Sequence, residues 1–103
     1  MLTLDEQERQ ALDQFVAMLE RERFDAPSAV DRSGLARGPE GQIVVPVTIQ
    51  AERPDPHMAM LMARKAEQLY KQTGCRFILA QKPARDPQGR AYVWADGAWQ
   101  SIR

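Results

Sequence analysis

Apolar positions in the first quarter of the chain recur at a helical period. They form one narrow stripe at spacings of three and four residues: Leu12, Phe15, Val16 and Leu19. Such spacing places the stripe on one face of an α-helix, with Leu4 and Ala11 beside it. Thr3 followed by Glu6 matches a capping box, so we predict that the helix begins there and runs to about Arg23.

Residues 42–50 change to a period of two. Four β-branched residues alternate onto one face of a strand: Ile43, Val45, Val47 and Ile49. This alternation is the strongest strand signal in the chain. Pro46 lies in its middle and has no N–H to donate to a ladder. We therefore expect this strand to lie at a sheet edge or to be bulged at Pro46.

The helical period returns in residues 55–74, which carry a signal at each end. Asp55 is a helix N-cap, and Pro56 suits the first helical position because its missing donor costs nothing there. Gly74 supplies the left-handed residue that ends a helix. The sequence thus predicts a helix from Pro56 to Thr73.

Met62 marks the centre of the face that this helix is expected to bury. At 100° per residue, four side chains fall within about 40° of it: Met58, Ala66, Leu69 and Thr73. Met60 and Arg64 point the other way. We therefore expect Met60 to be exposed to solvent or to a partner.

The last part of the chain predicts three strands, the final two joined as a hairpin. The first strand covers residues 75–81. Residues 91–95 and 98–102 then flank Asp96-Gly97, a pair that is the strongest short-range signal for a β-hairpin. This two-residue turn sets Trp94 opposite Trp99 as a pair without backbone hydrogen bonds between them.

Two connections have no sustained periodicity, residues 25–41 and residues 82–90. The first is long for a compact domain, so it either contains a short strand or is a functional loop. A turn at residues 38–41 would let residues 35–37 pair back on the following strand.

These elements predict a single α+β domain over residues 1–103. Their order is α-β-α-β-β-β, with the first strand, the capped helix and the second strand forming a βαβ unit. Both helices can cover one face of a mixed sheet that the C-terminal hairpin extends. The predicted architecture is a two-layer sandwich.

Composition changes this picture little. The chain has 103 residues, 44% of them apolar and 27% charged, which is ordinary for a globular domain. We see no secretory signal and no apolar run long enough to span a bilayer. Cys75 is the only cysteine. Together these features predict a cytoplasmic protein in a reducing compartment.

The net charge of zero conceals an asymmetry between the two halves. Residues 1–52 carry ten acidic and five basic side chains, and residues 53–103 carry four acidic and nine basic ones. The balances are therefore −5 and +5. Either the two halves pack together and complement each other, or the second half offers a basic face to an acidic partner.

Candidate chemistry is sparse. His57, Met58, Met60 and Met62 have the ligand types that Cu(I) prefers, but no regular backbone brings all four together. Cys75 and His57 are the only thiol–imidazole pair, and a helix between them holds them roughly 27 Å apart. No phosphate-binding loop, zinc pattern or nucleophile motif occurs. We expect no catalytic residue, metal or cofactor.

The strongest candidates for a functional surface are three aromatic side chains, Tyr92, Trp94 and Trp99. They project from one face of the hairpin, and small or aliphatic residues project from the other. If the helices cover the small-residue face, the aromatic face is an exposed patch of the kind that marks interaction sites. If they cover the aromatic face, the rings are core.

The leading functional hypothesis is a small protein-interaction or assembly module without catalytic activity, bound to a protein partner or to a second copy of itself as a homodimer. Its candidate partner-binding residues are Tyr92, Trp94, Trp99, Met60 and Arg64.

One alternative is nucleic-acid binding through the aromatic stripe and the basic residues of the second half: Arg53, Arg64, Lys65, Lys71, Arg76, Lys82, Arg85 and Arg90. A sequence pI near 6.6 argues against it. Another alternative is a regulatory domain that holds a small ligand between helix and sheet.

Overall fold

The computed structural model describes residues 2–95 and 97–102. Two α-helices, a six-stranded mixed sheet and one 3₁₀ turn make up the fold, and the predicted α+β class is confirmed. In chain order the elements are α1 (Glu6–Arg21), β1 (Ser28–Val30), the 3₁₀ turn (Arg32–Gly34), β2 (Ala36–Arg37), β3 (Ile43–Ile49), α2 (Pro56–Thr73), β4 (Phe77–Pro83), β5 (Ala91–Ala95) and β6 (Ala98–Ile102).

The strands lie in the order β1-β3-β4-β5-β6, with β2 beside β3 on the same side as β1. Strands β3 and β4 are parallel over seven aligned residue pairs, from Ile43 opposite Phe77 to Ile49 opposite Pro83. All other neighbours are antiparallel. The β3-α2-β4 segment is therefore the βαβ unit that the sequence predicted.

Helix α1 begins later than the sequence suggested. Its N-cap is Asp5 and not Thr3, because the Asp5 carboxylate accepts the Glu8 N–H at 2.7 Å and the Glu8 carboxylate accepts the Asp5 N–H at 3.1 Å. The observed box therefore lies two residues after the predicted one, and its Glu8 also reaches Arg37 on β2 at 2.7 Å. The helix ends at Arg21, two residues short of the predicted end.

Helix α2 has the predicted ends. The Asp55 carboxylate accepts the N–H groups of His57 and Met58, and Gly74 has the left-handed φ of 77° that ends the helix. Its buried residues include Met58, Met62 and Leu69, as the periodicity indicated. Met60 is 48% exposed, which also agrees with the prediction.

The core lies between both helices and one face of the sheet. The α1 stripe and the alternating face of β3 are almost entirely buried, and the ring of Phe15 on α1 stacks on Phe77 of β4 with centroids 5.0 Å apart. Both helices therefore cover the same face. The opposite face of the sheet has no second layer of helices in the described part of the chain.

The expectation for Pro46 was wrong. Strand β3 lies inside the sheet, between β4 and the short strands β1 and β2. The Pro46 carbonyl accepts the N–H of Asp31 at 2.9 Å, so its missing N–H faces the gap between β1 and β2. The interruption falls in the neighbouring strands, where the 3₁₀ turn leaves the sheet, and β3 itself stays regular.

The long connection contains more strand than the sequence predicted. Residues 36–37 pair back on β3 as expected, through the turn at residues 38–41. The additional strand β1 places Ser28 opposite Ile49. Strand β4 begins and ends two residues later than predicted, since Cys75 donates its N–H to the Thr73 hydroxyl at 3.1 Å before the ladder begins.

Candidate functional site

The C-terminal hairpin has the predicted register. Ala95 lies opposite Ala98, and Trp94 lies opposite Trp99. Gly97 has a φ of 74°, in the left-handed region that a tight hairpin turn requires. Asp96, which the sequence analysis placed in the turn, is outside the described residues. Since a two-residue turn closes on a hydrogen-bonded pair, Trp94 and Trp99 form a pair without backbone hydrogen bonds between them.

The two indole rings contact each other edge to face. Their centroids are 4.9 Å apart and their planes are inclined at 77°. This is a preferred geometry for an aromatic pair, because the positive edge of one ring meets the negative face of the other. The contact joins β5 to β6 on one face of the hairpin.

That face is the one that the helices cover. Tyr92 on β5 is paired with Gln81 on β4, whose buried side chain reaches the start of α2. The interpretation in which the helices cover the small-residue face is therefore wrong. The aromatic stripe is also not fully buried, because α2 lies over β4 and only the near side of β5. Tyr92, Trp94 and Trp99 are all half-buried.

Trp94 forms one wall of an open groove beside α2, which we call the α2-side groove and which has a volume of about 440 Å³. Alanines on the helix form the opposite wall: Ala59, Ala63 and Ala66. Tyr70 and Arg76 lie at one end, where the guanidinium of Arg76 stacks 4.5 Å from the centroid of the Tyr70 ring. Trp94 is thus the aromatic residue of the hairpin that faces α2 across this groove.

A second open groove, of about 830 Å³, lies at the carboxyl ends of β3 and β4. We call it the basic groove. The loop after β3, the first turn of α2, the loop after β4 and the hairpin all contribute to it: Glu52, Arg53, Pro54, Pro56, Arg85, Asp86, Pro87, Arg90, Tyr92 and Trp99. Parallel strands end at the same edge of a sheet, and this brings the two loops together.

Asp86 fastens the hairpin to the loop after β4. Its carboxylate is buried and accepts the N–H of Gln88 at 2.9 Å and the Tyr92 hydroxyl at 2.8 Å. Arg90 lies 3.5 Å from the same carboxylate and stacks over the Tyr92 ring. The Gln88 N–H and the Tyr92 hydroxyl hold the pKa of Asp86 below its usual value, and the bond to Asp86 raises the pKa of Tyr92.

Gln81 is a structural residue that the sequence analysis did not single out. Its side chain is completely buried on β4. Its amide donates to the backbone carbonyl of Asp55 at 2.9 Å and accepts the Asp55 N–H at 2.7 Å. It therefore fixes the N-terminus of α2 to β4, the strand with which the hairpin pairs.

Met60 and Arg64, the other two candidate partner-binding residues, lie apart from the aromatic stripe. Both are exposed on α2, but neither lines the α2-side groove or the basic groove. Their assignment stays a prediction. The sequence could have indicated the loop residues Arg53 and Arg85 instead, because a βαβ unit brings the loops after its two strands to one edge.

The eight basic residues that the sequence analysis named in the second half do not converge on one surface. Three of the eight line the basic groove: Arg53, Arg85 and Arg90. Lys82 lies on the opposite face of the sheet from Gln81. Lys65 pairs with Glu22 at 3.6 Å and Arg76 with Glu40 at 4.0 Å, so two ion pairs join the basic half to the acidic half.

Candidate chemical groups are likewise separated. Cys75 and His57 lie near opposite ends of α2, as the sequence indicated, and the His57 ring packs edge-on against Phe24. No cluster of three or more histidine, cysteine, aspartate or glutamate side chains suited to a metal ion occurs in residues 2–95 and 97–102. Neither α1 nor α2 has the length and apolarity of a membrane span within that same part of the chain.

The two edges of the sheet differ. Pro27 precedes the short strand β1, the 3₁₀ turn separates β1 from β2, and Arg37 on β2 is held by Glu8. Strand β6, at the other edge, has the sequence Ala98-Trp99-Gln100-Ser101-Ile102, with neither charge nor proline. Its outer side pairs with no strand in the described structure.

Comparisons with protein-family models, with curated proteins and with solved structures find no significant match to this chain.

Proposed function

We propose that the protein is a small protein-interaction module without catalytic activity, and that its C-terminal hairpin is the element that contacts the partner. The observation that carries this proposal is the β6 edge, which is uncharged and pairs with no strand among residues 2–95 and 97–102, beside the half-buried ring of Trp99. Exposed edge strands pair readily with other chains, and natural proteins usually protect them with charges, prolines or bulges.

The surroundings of the hairpin support the same function. Trp94 lines the α2-side groove, Trp99 lines the basic groove, and the two rings contact each other, so each groove exposes one ring of the pair. Tryptophan, tyrosine and arginine are the residue types most enriched among the energetically dominant contacts of protein interfaces. Here Trp99, Tyr92 and Arg85 lie within one groove.

The polar groups near the hairpin are engaged in hydrogen bonds that hold the fold together, which argues against a catalytic role. Asp86 is the best candidate for acid–base chemistry by burial, but three neighbours already engage its carboxylate and the pKa is lowered, away from neutrality. The oxygen and the nitrogen of the Gln81 side-chain amide are both hydrogen-bonded to the backbone of Asp55. These groups hold the hairpin in place for a contact.

Photo-crosslinking in the host cell tests the proposal. A benzophenone amino acid replaces Gln100, which is exposed on β6, and in a matched control it replaces Gln14, which is exposed on α1. We expect a discrete crosslinked product from position 100, with little from position 14. That product should disappear when Trp99→Ala is added. Equal labelling at both positions, or none at position 100, would contradict the proposal.

A further inference from the structure

The hydrogen-bonding pattern of the hairpin determines which backbone groups of β6 face the free edge of the sheet. In the hairpin ladder, hydrogen-bonded pairs alternate with pairs that lack backbone bonds, starting from Ala95 and Ala98 at the turn. Residues 98, 100 and 102 therefore direct their backbone groups toward β5. Trp99 and Ser101 direct theirs outward, so the free edge offers two N–H groups and two carbonyl groups.

We infer that a second copy of this chain occupies the edge, by antiparallel pairing of β6 with β6 about a twofold axis at Gln100. This rests on the proposed function and specifies its partner. In this register Trp99 of each copy lies opposite Ser101 of the other, and each of those two pairs exchanges two backbone hydrogen bonds. All four outward N–H and carbonyl groups of each strand are then used.

Other antiparallel registers pair fewer residues of β6 with residues of β6 in the second copy. Moving the axis to Trp99 sets Ser101 opposite Gly97 of the turn, and moving it to Ser101 sets Trp99 opposite the residue that follows β6. Only the axis at Gln100 keeps all five pairs within the strand. A closed dimer also needs a self-complementary patch, and this register provides one.

The side chains complement one another in this register. Each bulky residue meets a small one, Trp99 opposite Ser101 and Ile102 opposite Ala98, and the two Gln100 amides can hydrogen-bond to each other. No charged side chain lies on the strand, and the chain's net charge is zero, so neither the paired residues nor the net charge opposes association.

The same arrangement also buries the exposed part of the Trp99 ring. Twofold pairing about an axis through the sheet keeps both helical layers on one side, so the half-buried Trp99 rings of both copies lie together between two α2 helices. Aromatic burial at the centre of an interface supplies the largest contributions to affinity. The pairing thus covers the surface that α2 leaves open in one copy.

A cysteine placed on the proposed axis tests this register directly. Position 100 lies opposite itself in a pair without backbone hydrogen bonds, where Cα atoms approach to about 4.5 Å, and a disulfide accepts that separation. In a Cys75→Ala background, we expect Gln100→Cys to form a covalent dimer under mild oxidation. Ala98→Cys, on the same strand and face but away from the axis, should stay largely monomeric.

Sedimentation of the native chain completes the test. We expect a monomer–dimer equilibrium that Gln100→Lys weakens by about tenfold or more, because it brings two like charges together. Ser28→Lys on the β1/β2 edge is the control and should change nothing. A native chain that remains monomeric, or equal crosslinking of Ala98→Cys and Gln100→Cys, would overturn the inference.

The two proposals fail differently. If the purified chain is monomeric while position 100 still crosslinks to another protein in cells, the second copy is the wrong partner and the interaction module stands. If position 100 crosslinks to nothing in cells and the purified chain does not dimerise, both proposals are contradicted.

Discussion

The two edges of this sheet differ in how they are protected against pairing with another strand. At the β1/β2 edge the chain is interrupted by a 3₁₀ turn, and Arg37 is tied to Glu8 by two contacts of 2.7 and 3.1 Å. At the β6 edge five consecutive uncharged residues present a regular strand. Since unprotected edges invite pairing, the difference indicates that one edge terminates the sheet and the other is available for its extension.

The protected edge also explains the proline in the middle of β3. A proline is tolerated inside a sheet where no neighbour needs its missing donor. Pro46 faces the gap that the 3₁₀ turn leaves between β1 and β2, and its carbonyl still accepts the Asp31 N–H. The interruption that blocks the edge is therefore the same feature that accommodates Pro46.

The largest effect that we predict separates the two tryptophans. Trp94→Ala should lower the free energy of unfolding by about 3 kcal/mol, because the half-buried ring lies on β5, beside the helical layer, and also contacts Trp99. Trp99→Ala should cost only about 1 kcal/mol, the order of one edge-to-face contact, and should weaken self-association strongly. Urea unfolding and sedimentation of both variants measure this. Equal costs with unchanged association would contradict the assignment of Trp99 to the contact surface.

Several of these features were predictable from the sequence because they depend on neighbouring residues alone. The ends of α2 follow from Asp55 and Gly74, and the hairpin register follows from the length of its turn. The face that the helices cover was not predictable. It depends on how far α2 extends over β5, and that extent is set by contacts between residues far apart in the chain.

The anchoring of the hairpin was missed for the same reason. Gln81 reaches Asp55 across 26 positions of sequence, and no local pattern marks a buried glutamine as the partner of a helix N-terminus. The bond from Tyr92 to Asp86 is closer in sequence, but it required the loop after β4 to fold back on the hairpin. Only the topology of the βαβ unit could have suggested that these loops converge.

A smaller effect is expected from pH at the β1/β2 edge, and the Arg37→Gln variant isolates it. The Arg37 side chain, followed by the Asp5 N–H, lowers the pKa of Glu8. A lowered carboxylate pKa contributes stability above the unfolded value, about 4.3, and this contribution is lost as the pH falls through the folded value. The native chain should therefore lose more stability below pH 5 than the Arg37→Gln variant does.

The β6 edge provides the contrast in that experiment. Residues 98–102 contain no titratable side chain, so the dimerisation constant should stay nearly constant between pH 5 and pH 8. Thermal unfolding of the native chain and of Arg37→Gln, as the pH falls from 7 to below 5, measures the first effect. Sedimentation between pH 5 and pH 8 measures the second. A dimer that dissociates as the pH falls to 5 would point to a charged interface elsewhere on the molecule.

Hydrogen exchange at individual amides of β6 tests the central claim most directly. The N–H groups of Trp99 and Ser101 face outward, whereas that of Gln100 is already bonded within the hairpin. As protein concentration rises, we predict that exchange at Trp99 and Ser101 slows in parallel with dimer formation, relative to the outward-facing amide of Ser28 on the β1/β2 edge. If Trp99 and Ser101 exchange at one rate at every concentration while the chain dimerises, the partner is bound elsewhere and the claim is wrong.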